Sequence, residues 1–247
     1  MQGRQDSRLP INLPLSRGLF LFRECLPVVF LPLWAANVVD AVPGILAGGG
    51  LLTGAINRRD VLITIVTWCV DSLLYGYAIA RLDARARNVP LAIRQAWHIA
   101  MRAAPAILIG DLVYNVAAWG GLLLFVVPGI ILGTTLAFFA FAAVVDHKNV
   151  FDALAYSHAL TWPDWWRTSV VLSVPAIVLL VYSVIMSWPV IMGAVHALAA
   201  GQLSIVSVSN PWYDLGLMPL LGSIIWAYVL AVLYAQYDAL KAYAADH

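Results

Sequence analysis

The stretch VPGIILG, residues 127–133, interrupts an almost unbroken apolar run with a proline and a glycine, and nearly the same heptapeptide, VPGILAG, occupies residues 42–48. Proline removes an amide donor and glycine accepts conformations that other residues avoid, so each Pro-Gly pair turns the chain or starts a new helix. At membrane depth such backbone survives only where protein or a watery cavity satisfies its polar groups. Pro43-Gly44 and Pro128-Gly129 therefore mark either tight helical hairpins or re-entrant elements lining a pathway. WPVIMG, containing Pro189, is a weaker third copy.

The runs on either side of these breaks set the fold class. Of 247 residues, 62% are hydrophobic and 11% charged, against about half and a quarter in soluble domains. Crossing about 30 Å of hydrocarbon takes roughly 20 helical residues. Six segments suffice: about 26–46, 61–80, 103–126, 128–145, 169–198 and 215–237. The expectation is a single all-α integral membrane domain built from helical hairpins. An outer-membrane barrel would instead show alternating segments of about ten residues. The apolar run after Arg4, Arg8 and Arg17 is too long for a signal peptide and reads as a retained anchor. Cys25 and Cys69 suit neither a disulfide framework nor a zinc cluster and read as small apolar fillers. A net charge of +1 argues against a nucleic-acid partner.

Orientation follows from the basic residues. With the N-terminus inside, twelve Lys and Arg residues fall on the inner side and only Arg58 and Arg59 outside, which puts both termini in the cytoplasm. Two inner segments read as amphipathic helices in the headgroup region. In residues 90–102, Arg94, Gln95, His98 and Arg102 share one narrow arc while Ile93, Trp97 and Met101 lie outside it. Residues 150–162 repeat the theme more weakly. Trp162, Trp165 and Trp166 then form an aromatic anchor. Anionic lipids of the inner leaflet are the implied partners, with a membrane-protein partner as a further reading. A unit of surface helix, span, proline break and returning span thus recurs three times in parallel orientation, its third copy the weakest.

Three aspartates, Asp40, Asp71 and Asp111, lie within apolar spans. Each costs about 2.5–3.5 kcal/mol at the bilayer centre unless it faces protein or water. Asp71 and Asp111 both fall roughly 12–14 Å from the inner ends of their helices, at a common level. Asn37 shares a helix face with Asp40, Asn115 with Asp111, and Thr64, Thr67 and Tyr75 with Asp71. These stripes mark a polar centre: either a proton, cation or substrate site, or interhelical hydrogen-bonding glue, with Arg58 and Arg59 as alternative partners for Asp40. No histidine spacing suits a metal, no cofactor motif is present, and GxSxG, HExxH, CxxC and P-loop patterns are absent. No enzymatic activity is expected.

The run from Val127 to Arg167 carries a PGI break, an aromatic-rich span ending at Asp146, and Ala153, Leu154, Ser157 and Leu160 before a tryptophan. In these features it resembles YciC-type bacterial inner-membrane proteins. That family is similar in turn to the membrane domain fused to some glycerophosphodiester phosphodiesterases. The resemblance extends over about residues 16–240 and implies a bacterial cytoplasmic-membrane protein without an assigned reaction. Relatives often carry an acidic pair where this chain has Asp146-His147. Two functions remain open. One is a noncatalytic accessory protein that binds lipid or a partner and supports envelope homeostasis. The alternative is a small carrier or channel-like protein using the buried aspartates. A water-accessible cavity joining the aspartates would favour the carrier, and a solid dry bundle the accessory protein.

Overall fold

The computed structural model describes residues 11–46, 58–199 and 213–245. Eight α-helices occur among the described residues: α1 Asn12–Leu46, α2 Arg58–Ala86, α3 Ile93–Leu124, α4 Val126–Thr135, α5 Phe139–Val145, α6 Val150–Thr161, α7 Trp165–Ala199 and α8 Met218–Ala245. Six stretches are long and apolar enough to cross a membrane, with α4 and α5 forming the fourth together. The protein is an all-α, multi-pass membrane protein.

Each span packs on the next. α1 packs on α2, α2 on α3, α3 on α4, α4 on α7 and α7 on α8, while α8 returns to α1. The result is a ring of three helical hairpins. Small residues set its closest approaches. A Cβ on Gly18 would lie 2.8 Å from the Val232 backbone, and one on Gly76 only 3.5 Å from Cα of Ala100.

One end of the ring is ionic. Arg17 pairs with Asp238 at 2.7 Å, Arg85 with Glu24 at 3.5 Å and Arg87 with Asp83 at 2.7 Å. Lys241 and the Tyr237 hydroxyl both donate to Asp146, and Arg81 donates to the Leu91 carbonyl. Arg58 and Arg59 begin α2 at the other end. This basic end also holds the core: every residue from 138 to 144 is buried, against Ile79, Leu82, Leu230, Tyr234 and Tyr237.

The hairpin expected at VPGIILG is present, and its geometry is specific. α3 stops at Leu124, Phe125 alone is extended (φ −159°, ψ 141°), and α4 starts at Val126. Pro128 therefore sits in the first turn of α4, where an amide has no helical partner to lose. Gly129 crosses against Gly121, whose Cβ would lie 2.8 Å from the Gly129 Cα. The pair is a tight crossing rather than a re-entrant loop. Its tip, residues 123–127, is apolar and exposed throughout.

Four expectations need correction. α1 begins at Asn12, so the first span has no separate start near residue 26; Pro27 and Pro32 lie inside the helix. Residues 90–102 do not form a separate surface helix. α3 runs unbroken from Ile93 through Pro105, because Ala96, Ala100 and Ala103 are buried, Ala100 close against Gly76 of α2, and hold its start in line with the span. The polar arc reading survives in part: Arg94, His98 and Arg102 are exposed, and Trp97 lies against Tyr77 with ring centroids 4.8 Å apart. Third, Pro43 does not break α1, which continues to Leu46, and α7 passes through position 189 as one helix. A proline costs one hydrogen bond, and in hydrocarbon no water competes for the others. Residues 47 and 48 of the first heptapeptide lie outside the described residues.

The fourth correction concerns residues 128–145, expected as one helix. That span bends at residues 136–138. Ser157 of α6 mends the bend: its hydroxyl accepts from the Phe138 N–H at 3.1 Å and donates to the Thr135 carbonyl at 2.8 Å. α6 itself, expected at 150–162, is present, capped by Asn149, whose side chain accepts from the Asp152 N–H. Trp162 and Trp166 are exposed beside it, with Trp165 partly covered. Cys25 is buried in the core and Cys69 partly buried, both free thiols.

Candidate functional site

The bend between α4 and α5 creates the site. α4 stands in the wall of the ring, whereas α5 turns inward and packs against α2, α3 and α6, closing the basic end. Above this plug lies a cavity of about 840 Å³. That is far beyond the roughly 10–15 Å³ needed to admit one water, and within the range of about 300–1,000 Å³ seen for small-molecule sites. Phe139, Ala140 and Val229, all buried, and the partly buried Leu233 are its floor. Towards the other end it reaches Asp40, Trp119, Leu122 and Ile130, which are exposed.

Six of the eight residues expected at a polar centre line this one cavity: Asn37 and Asp40 from α1, Asp71 and Tyr75 from α2, Asp111 and Asn115 from α3. The three carboxyl groups are close enough to act electrostatically on one another. Among the described residues the lining contains no Lys, Arg or His, and none of the three forms an ion pair. Pairing of Asp40 with Arg58 or Arg59 is therefore not observed.

The glue reading keeps one interhelical contact, since Asp111 of α3 takes side-chain hydrogen bonds from Asn115 of its own helix and from the Trp68 indole of α2, but its other expected partners turn elsewhere. The Asn37 side-chain amide donates to the Leu33 carbonyl at 2.7 Å, and that of Asn115 to the Asp111 backbone carbonyl at 2.9 Å. Thr64 and Thr67 bond within their own helix at 2.9 Å each and do not line the cavity. Around Asp111 the polar neighbours are Asn115 and the Trp68 indole. Three carboxylates thus share a space large enough for water and a solute.

Sequence reasoning missed several lining residues. Trp68, Trp119, Trp226 and Tyr114 bring aromatic rings into the cavity, and Tyr75 meets Trp226 edge-on at 6.5 Å. The fifth span lines it with Ser169 and Ser173. Ser169 and Ser173 lie four residues apart on one helix face, a signal present in the sequence but masked by the apolar residues between them. Among the described residues no three His, Cys, Asp or Glu side chains converge as a metal-ion cage would require. Compared with family models, with curated proteins and with solved structures, the chain matches none.

Proposed function

We propose that the protein is a small carrier-type membrane protein, and that Asp40, Asp71 and Asp111 form the solute- or proton-binding centre of its cavity. One observation carries this: a single cavity joins all three carboxyl groups, and among the described residues that line it none is a cation to neutralise them. Intramembrane carboxylates lining watery space mark solute or proton pathways. A dry bundle, which would favour the accessory reading, would leave no such space. The ring closed at its basic end and reaching outward elsewhere has the form of one state of an alternating-access cycle, with α5 as the closed gate.

We assign the basic end to the cytoplasm and the protein to a bacterial inner membrane. The support is the positive-inside rule, applied to twelve basic residues against two, and the resemblance to YciC-type proteins. The proposal assigns the chain no catalytic step. The exposed Arg94, His98 and Arg102 would face anionic headgroups at that surface.

The test is the double replacement Asp71→Asn, Asp111→Asn. Asparagine keeps hydrogen-bonding capacity but neither titrates nor carries charge. Complementation of a deletion phenotype, read with membrane abundance, should fail at normal abundance. Full complementation by an abundant variant would remove the proposed role.

A further inference from the structure

The two walls of the cavity differ in chemistry. On the α1–α3 side stand the three carboxyl groups, with the Trp68 indole beside Asp111. Facing them, α4 and α7 contribute Ile130, Leu172, Ala176 and Leu179. The hydroxyls on that second wall are spent locally: Thr134 donates to the Ile130 carbonyl at 2.7 Å, Ser169 to Trp165 at 2.9 Å and Ser173 to Val170 at 2.7 Å. Thr134 and Ser169 also lie 2.9 Å apart, so this wall offers a ligand a few acceptor oxygens but no free donor, and is otherwise apolar.

We propose that the solute is an organic monocation, an ammonium- or phosphonium-type charge on an apolar or aromatic body. This rests on the carrier reading above and adds the chemical class of its substrate. Four alternatives fit the walls less well. An anion would meet three carboxyl groups and no basic side chain. A metal ion needs several oxygen ligands converging at about 2–2.6 Å, and no such group of side chains exists among the described residues. A proton alone needs no cavity of about 840 Å³ lined by indole rings. A neutral apolar solute would leave the carboxyl groups without compensation for their removal from water.

An organic cation satisfies both walls together. Its charge is attracted by the carboxylates and by the faces of aromatic rings, and tryptophan provides the strongest such attraction. Its apolar body lies against the wall that α4 and α7 form together. Trp226, held edge-on by Tyr75, is fixed where such a body would pass the floor.

The experiment uses the full-length protein in nanodiscs and two probes of equal size and opposite charge, radiolabelled tetraphenylphosphonium and tetraphenylborate. Saturable binding of the cation, at least about tenfold tighter than that of the anion, is expected, since tenfold lies between the worth of an exposed and of a desolvated cation–π contact. Asp71→Asn, Asp111→Asn should weaken cation binding by about tenfold or more, and Trp226→Leu by up to about tenfold. Asp60→Asn, outside the cavity lining, should leave it unchanged. Equal binding of the two ions would overturn the proposal, as would undiminished cation binding by the double variant. Absence of cation binding to a wild-type protein whose cavity is shown to be wet by thiol labelling would also overturn it. That last result leaves the carrier reading standing, whereas a dry cavity removes both.

Discussion

Replacing Ser157 with alanine should unfasten the plug that closes the cavity. The hydroxyl holds both sides of the bend, accepting from Phe138 and donating to Thr135, and all three residues are fully buried. Without it two buried backbone groups lose their partner. Orphaned groups of this kind cost about 1–3 kcal/mol each in water-soluble proteins. Hydrogen bonds inside membrane proteins average only about 0.6 kcal/mol, with a maximum near 1.7, because the unfolded chain finds partners in the membrane too. The dry setting favours the upper part of the membrane range, so two lost bonds predict a destabilisation of about 2–3 kcal/mol. Steric trapping in bicelles measures this unfolding equilibrium directly. Ser173→Ala is the control, because Ser173 is exposed and bonds only its own helix carbonyl, so it should change stability by less than about 0.5 kcal/mol. A Ser157→Ala protein as stable as the Ser173→Ala control would refute the claim that this side chain mends the bend.

Gly129→Ala should destabilise by about 1–3 kcal/mol, since its Cβ would meet the Leu122 backbone nitrogen at 2.5 Å, whereas Gly120→Ala, with nothing within 4 Å, should be neutral or better in the same assay. Asp146→Asn removes the carboxylate that Lys241 and Tyr237 share and should loosen α5. As the ion pair is partly solvated, stability should fall by only about 1 kcal/mol, but a cysteine at Ala140 in the floor should gain reactivity towards reagents added at the basic end; unchanged protection there would show that Asp146 is no latch. Reporter fusions should place the loops at residues 87–92 and 146–149 on the cytoplasmic side, and a periplasmic signal from either would reverse the orientation.

Much of this architecture was legible in the sequence because hydrocarbon imposes length: six apolar runs gave six spans. The polar centre was legible too, since buried aspartates are expensive enough to stand out and helical spacing tied each to its neighbours. Two kinds of feature were not. Proline positions suggested breaks at residues 43 and 189 that the helices pass through, because in a membrane the remaining backbone bonds outweigh the one that is lost. The bend at residues 136–138 had no local mark, since leucine, alanine and phenylalanine continue without a change of pattern. Its partner, Ser157, lies 19 residues beyond Phe138 on another helix. The plug, and with it the shape of the cavity, depends on that distant contact.

The most direct test of the account is whether the aspartates share watery space open to one side only. Asn115→Cys, in a protein whose Cys25 and Cys69 have been replaced by serine or alanine, places a thiol in the cavity wall beside Asp111. An impermeant thiosulfonate reagent should modify it rapidly when added at the side bearing Arg58 and Arg59, and not from the basic end in the state described here. Bulky cations should slow the reaction. Failure to react from either side, with the protein folded and abundant, would show a dry bundle and contradict the carrier reading.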